Sequence, residues 1–293
     1  MPSDAGPSDA GPSGAVPSGA VPSGVDAVVP APPPLAAEIF GDRLKLAERY
    51  VRWLVGAGVE RGLVGPREAE RVWDRHILNC AAVGALIEPG RTVVDIGSGA
   101  GLPGIVLAIA RPDLRVVLVD SMLRRTTFLA EVIEDLGLSS VSVTRARAED
   151  LRRAKLRADV VTARAVATVD RLASWAAPLL AEQGVVLALK GSGLAEEIAA
   201  GWKTLRRTRL TGDVSAWAVV AAAGSSAGSL DAERSNVRGL RAVAQGRWSD
   251  AGDGCRFESA GGDLVGEGGR VALVVRLDRF PRALSPASAS GLG

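Results

Sequence analysis

The sequence predicts an α/β fold, a mostly parallel sheet covered by helices on both faces. Three observations carry this. From residue 92 to about 205, short apolar runs rich in Val alternate with longer helical patterns. The first run, "TVVDI", stops at a cluster of glycines, and a helical pattern starts directly behind it. A helical stretch with no strand signal precedes it, from Leu35 to about Leu86.

The elements follow in order. Residues 2–24 repeat at period five (PSDAG, PSDAG, PSGAV, PSGAV, PSG). With "APPPL" they make 1–34 a tail that cannot bury a core and is expected to be disordered. "LKLAERYVRWLVGAG" then places Leu44, Ala47, Tyr50, Val51 and Leu54 on one helical face. "GPREAERVWDRHILNCAAVGALI" carries Pro66 near a first turn and turns Val72, Ile77, Cys80 and Val83 inward. "TVVDI" leads into "GIVLAIA", and "RVVLVD" into "MLRRTTFLAEVIEDLG", which ends on Gly137. "VSVTRA" is a short strand. "ADVVTARAV" precedes "VDRLASWAAPLL", and "GVVLALKG" precedes "LAEEIAAGWKTL". Finally "AWAVVAAA" and "RVALVVRLDRF" form two strands with no helix between them, which suggests an antiparallel pair at the sheet edge. Residues 224–269 separate them, rich in Gly and Ser, and are expected to be a flexible insertion with room for a short helix over "AERSNVRGLRAVAQ". One domain over 35–282 results, with a disordered end at 283–293.

Composition excludes several classes. No apolar stretch is long enough to span a bilayer, and the N-terminus lacks the basic and apolar regions of a signal peptide, so the chain reads as cytoplasmic. Cys80 and Cys255 are the two cysteines and read as reduced thiols, and with His76 the single histidine no metal site can be assembled from Cys and His. The net charge is +2. Residues 1–34 hold Asp4, Asp9 and Asp26 without a basic residue, so the remainder carries +5, mostly as arginine. That excess permits an RNA partner, although codon bias toward arginine explains it equally well.

The glycine cluster in "DIGSGAGLPG" admits two alignments. Gly99, Gly101 and Gly104 fit the dinucleotide spacing. Gly97, Gly99 and Gly101 fit a tighter one, with Asp95 two residues ahead and Ser98 inside. "TVVDI" ends just before Gly97, so the tighter frame is favoured. In an open parallel sheet, ligands bind beyond the carboxyl ends of the strands at the switch point. Asp120 ends the next strand there, where a carboxylate either accepts ribose hydroxyls or caps the following helix.

"DRHILNC", "VVDIGSGAGLPGIVLAIARPD", "VVLVDSMLRRTTFL", "ARAED", "VVTARAVA" and "LALKG" occur in this order. Together they resemble the small-subunit ribosomal RNA guanine-N7 methyltransferase family, also called the glucose-inhibited division protein B family. The resemblance covers roughly residues 40–222, with a weaker tail at 270–280. It departs at "ERGLVGPRE", where the family usually has Asn-Leu-Thr, and at Asn79–Cys80, where Asp–Ser is common. The resemblance implies a Rossmann-like class I methyltransferase, with a seven-stranded sheet behind an N-terminal helical layer and S-adenosyl-L-methionine as cofactor. It implies a cofactor site at Gly97, Leu102, Ala148, Glu149 and Arg164, with Asp120 as the ribose acid. The implied substrate is a guanine in the decoding-region (530) loop of 16S rRNA, guanine 527, in the small ribosomal subunit or an assembly intermediate.

The chemistry suits the composition. Guanine N7 carries a lone pair and no proton, so methyl transfer to it requires positioning and water exclusion rather than a general base. The candidate RNA contacts are Arg75, His76, Arg124, Arg125 and Lys190. Arg124 and Arg125 open a helix, against its dipole, which points to an outside anion. The N7 edge faces the deep, narrow major groove of A-form RNA, so the target must be looped or unstacked. Two alternatives stand beside this reading: a same-fold methyltransferase acting on a small molecule or protein, and a non-catalytic RNA- or ribosome-binding module.

Overall fold

The structure, a computed structural model, describes residues 29–153, 156–208, 210, 214–222, 236–252, 254–260 and 270–279. The chain opens with helices α1 (Pro34–Phe40) and α2 (Leu44–Trp53), the latter continuing through a widened turn at Leu54–Gly58. The second helical stretch is not one regular helix. It winds tightly over Pro66–Arg71, widens over Val72–Leu78, passes through α3 (Asn79–Ala81) and tightens again over Ala82–Leu86. The expected inward positions are nonetheless buried: Val72, Ile77, Cys80 and Val83 have no exposed surface.

Strands β1 (Thr92–Ile96), β2 (Arg115–Asp120), β3 (Val141–Arg145), β4 (Ala158–Arg164) and β5 (Leu180–Lys190) are all parallel, in the order β3-β2-β1-β4-β5. The order reverses between β1 and β4, so the crevice beyond their carboxyl ends is the switch point. Helices α4 (Gly104–Ala110) and α5 (Leu123–Leu136) cover one face with the N-terminal layer. Helices α6 (Val169–Ala176) and α7 (Leu194–Arg207) cover the other. Strand periodicity divides the core accordingly. Val93, Val160 and Leu187 pack toward the N-terminal layer, and Val94, Val161 and Val186 toward α6 and α7. The same alternation sends Asp95, Thr162 and Arg164 to the first face and Lys190 to the second.

Strands β6 (Val214–Ala221) and β9 (Arg270–Asp278) form the expected antiparallel pair, but not at the edge. β9 lies between β5 and β6, and two further strands, β7 (Leu240–Ala251) and β8 (Gly254–Ser259), continue the sheet beyond β6. The sheet thus has nine strands among the described residues rather than seven. The reading of 224–269 as a flexible insertion is corrected for its described part. Residues 240–259 hold a hairpin, and the chain at Leu240 enters a strand where the short helix was entertained. Trp248 is buried against the α7 side, and the Trp202 indole donates to Asp250 at 2.8 Å, so the hairpin is bolted to α7. Residues 1–28 and 280–293, which include most of both expected tails, lie outside the described residues. Among the described residues no helix is long and apolar enough to cross a membrane, and no group of three His, Cys, Asp or Glu is placed to hold a metal ion.

Candidate active site

Gly97, Gly99 and Gly101 have φ of +72°, +58° and +101°. All three are left-handed, as the tighter glycine frame requires. A Cβ on Gly97 would sit 2.6 Å from Val166, whereas one on Gly99 would meet nothing closer than 3.8 Å. Gly99 is therefore where a ligand can approach the backbone. Gly104, the last glycine of the dinucleotide frame, serves packing instead. A Cβ there would lie 2.2 Å from Leu118, so its absence lets α4 pack closely on β2.

The turn is held from beneath. The Gly97 and Ser98 amides donate to Val119 O at 2.8 and 3.0 Å. Ser98 Oγ donates to Asp95 O and accepts from Val119 N. The Tyr50 hydroxyl donates to Ala100 O at 2.8 Å and ties the turn to α2. Asp95 has no exposed surface, and its Oδ2 accepts from Gly104 N at 3.1 Å. Burial pushes this carboxyl up to about 7, with the charge of Asp120 adding to the effect and the bonds from Ser98 and Gly104 opposing it. Asp95 was expected among the cofactor contacts. The structure instead places it, with Ser98 and Gly101, inside the support of the turn, because β1 is covered on both faces and the Gly104 amide engages the carboxylate.

Above the turn lies an open cleft of 580 Å³. Its floor is Ile96, Gly97, Val119 and Asp120; Ala146, Arg147, Ala148, Glu149 and Asp150 form one wall; Val166 and Trp175 form the other. Four expected contacts, Gly97, Asp120, Ala148 and Glu149, thus share one cleft, while Asp95, Ser98, Gly99, Gly101, Leu102 and Arg164 are not in its lining. Asp120 accepts from Gly99 N at 3.1 Å and Met122 N at 2.9 Å, and Arg125 Nη1 lies 3.2 Å from its Oδ2. Asp120 thus holds the Met122 amide ahead of α5, whose N-cap residue Met122 carries no side-chain cap bond, and lines the cleft. Trp175 and Val166 had no signal in the sequence. Trp175 sits at the margin of the buried stripe of α6, under Arg171, whose guanidinium carbon is 4.9 Å from the ring centre and which also pairs with Glu149 at 3.5 Å.

The model for rRNA small subunit methyltransferase G matches residues 43–211. The chain belongs to this family. The ribosomal RNA small subunit methyltransferase G of Mycolicibacterium gilvum is 58% identical over 174 residues, 59% of this chain and 76% of that protein. The Nocardioides sp. protein of the same description is 56% identical over 62% of this chain and 73% of its own length. The family match spans the helical layer, the glycine turn and the parallel half of the sheet, and stops before β6.

The family's cofactor, S-adenosyl-L-methionine, fits what the cleft offers: the Gly97 end of the backbone turn, a carboxylate at the switch point, and an aromatic ring at Trp175. No histidine or cysteine lines the cleft.

The remaining candidates separate. Arg164 points into the helical layer: its Nη2 lies 2.8 Å from His76 Nδ1 and donates to Arg75 O at 2.9 Å, and its Nη1 donates to Cys80 Sγ at 3.2 Å. His76 is buried, its Nε2 is 3.0 Å from Glu68, and burial together with Arg164 holds its imidazole down at about 4. Cys80 is pushed up to about 11 by burial and stays a thiol. Arg75 is half-exposed and pairs with Glu68 at 3.1 Å. Lys190 was expected to reach a phosphate. It is instead nearly buried, with Nζ 2.6 Å from Glu197 and donating to Ala167 O, because residue 190 falls on the α7 face of β5. Arg125 is engaged by Asp120. Arg124 is exposed and has no ion pair among the described residues.

Proposed function

We propose that this chain transfers a methyl group from S-adenosyl-L-methionine to N7 of a guanine in the decoding-region (530) loop of 16S rRNA, guanine 527. It does so on the small subunit or an assembly intermediate, in the bacterial cytoplasm. The observation that carries the proposal is the family match laid over a cleft that offers backbone, carboxylates and aromatic surface but no histidine or cysteine. The bound cofactor supplies an electrophilic methyl on a sulfonium. The protein's share is binding and alignment. Asp120 and the open Gly99 position hold the nucleoside end, Ala148 and Glu149 face its base, and Trp175 and Val166 narrow the cleft against water. N7 needs no proton removed, so the reading asks no cleft carboxylate to act as a base, and Asp95, under the turn, takes no part in the transfer. Arg124, exposed at the start of α5, is the candidate for an RNA phosphate contact.

The test is to incubate small subunits lacking the modification with cofactor labelled in its methyl group and digest the RNA to nucleosides. Label in 7-methylguanosine is the expected result. Label on an exocyclic amine or a ring carbon contradicts the assignment, and RNA binding without transfer supports the non-catalytic module instead.

A further inference from the structure

We infer that Glu68 and His76 are positioning residues for the cofactor cleft, acting on it through Arg164 and the turn that follows β4. The inference rests on the cofactor reading of that cleft.

An arginine donates and never accepts. His76 Nδ1, 2.8 Å from Arg164 Nη2, must therefore present its lone pair. The ring proton then sits on Nε2, which lies 3.0 Å from the Glu68 carboxylate without meeting hydrogen-bond geometry. The negative charge of Glu68 on that side favours the same tautomer, the one that lets the ring accept from Arg164. The same guanidinium is held by Arg75 O and Cys80 Sγ, so all three anchors of Arg164 come from the helical layer.

What this anchoring controls lies one and two residues on. Ala165 has φ +53°, a left-handed conformation in a residue with a Cβ, which costs on the order of 1 kcal/mol and persists only where its surroundings enforce it. That turn swings Val166 back over the glycine loop, to the spot where a Cβ on Gly97 would lie 2.6 Å away, and Val166 is part of the cleft wall. With Arg164 fixed, the turn is clamped. With it released, Ala165 can relax and Val166 can withdraw from Gly97, so the wall loosens.

The charged groups that bear on the ring are Glu68 from the Pro66–Arg71 turn, Arg75 from its own turn and Arg164 from β4. Protonation of Nδ1 would set two donors against each other and break the clamp.

The experiment compares His76→Asn with His76→Gln in the full chain, measuring S-adenosylmethionine affinity by calorimetry and melting temperature in parallel. The Asn oxygen can occupy the place of Nδ1 and still accept from Arg164; the Gln amide reaches the place of Nε2 and serves Glu68 only. His76→Asn is expected to bind within about threefold of wild type and His76→Gln about tenfold more weakly, the scale of one hydrogen bond to a charged group. Lowering the pH from 7.5 to 5 is expected to leave the ratio of wild-type to His76→Asn affinity unchanged, because the native ring stays neutral down to about 4. Glu68→Ala, on a half-exposed turn, keeps the test open if a buried variant folds poorly. It is expected to raise the cofactor KM about threefold at unchanged kcat, with free rotation between tautomers as the cause. Equal affinities for both His76 variants, or losses that track melting temperature alone, would overturn the inference. Wild type that binds no S-adenosylmethionine would overturn the cofactor reading itself, a different result from wild type that binds and variants that do not differ.

Discussion

At Gly97 two constraints coincide, a φ of +72° and a Val166 methyl 2.6 Å from any added Cβ. Gly97→Ala is therefore expected to destabilise the chain by about 2 kcal/mol or more and to abolish measurable cofactor binding. Gly99→Ala meets no protein atom closer than 3.8 Å but must hold φ +58°, so it should cost only on the order of 1 kcal/mol of stability yet weaken binding in calorimetry. Equal melting losses for the two would contradict the geometry. Two buried titrating groups make a second prediction. Native Asp95 keeps its proton up to about pH 7, while the unfolded carboxyl releases it near 4, so its contribution to stability falls as pH rises through that window. His76 works the other way. It stays neutral down to about 4 in the native state, whereas the unfolded ring charges below about 6.5, so stability is lost as pH falls between these values. The two slopes oppose each other in wild type. Asp95→Asn leaves the His76 slope alone, and its melting temperature should climb more steeply from pH 4.5 to 6.5 than that of wild type; a shallower climb would contradict these shifts. The identity of the turn was legible in the sequence because left-handed glycines leave a spacing. The division between residues that face the cleft and residues that brace it was not, because Asp95 and Asp120 look alike as strand-end acids on one face of the sheet and differ in their place along it: Asp95 is level with Leu118, two residues short of Asp120.

Elements of 35–207 were legible because each carries its own period and its own stop, as Gly137 shows at the end of α5, with φ +63°. The hairpin of β7 and β8 was not. "LRAVAQGRWSDA" lacks a β-branched run, and its strand character comes from pairing with β6 and from Trp248 packing on Phe257, with ring centres 4.6 Å apart. The local signal was the "AGDG" turn, which opens on Gly252 at φ +62° between the two strands. The hairpin should contribute to stability. Asp250 accepts from the Trp202 indole at 2.8 Å and pairs with Arg206 at 3.2 Å, so Asp250→Ala leaves a part-buried indole donor without its partner. A loss of about 1–2 kcal/mol, or roughly 2–4 °C in melting temperature, is expected. An unchanged melting temperature would mean that the hairpin is not docked on α7.

Over the whole molecule, strand–helix alternation announces a parallel sheet but not its order, since the insertion of β9 between β5 and β6 is a pairing between distant segments that no local pattern encodes. The same holds for charge. The +5 outside the first 34 residues is visible in composition, yet the ion pairs of Arg125 and Lys190 appear only once Asp120 and Glu197 are brought beside them. Arg124 is exposed and has no ion pair among the described residues. Small-subunit RNA affinity should fall with salt, and Arg124→Ala should make the logarithmic slope shallower by about 0.7, the share of one single-stranded phosphate. Lys190→Ala should instead leave that slope unchanged and lower the melting temperature, because it strands the Glu197 carboxylate; the reverse pattern would contradict the assignments. The most direct test of the central claim is the position of the methyl group. Methylation at N7 gives the purine a positive charge, which makes the chain cleavable by borohydride and then aniline. After incubation of unmodified small subunits with S-adenosylmethionine, the cleavage should fall at a single guanine in the decoding-region loop, guanine 527. Cleavage at another guanine, or none despite transferred label, would contradict it.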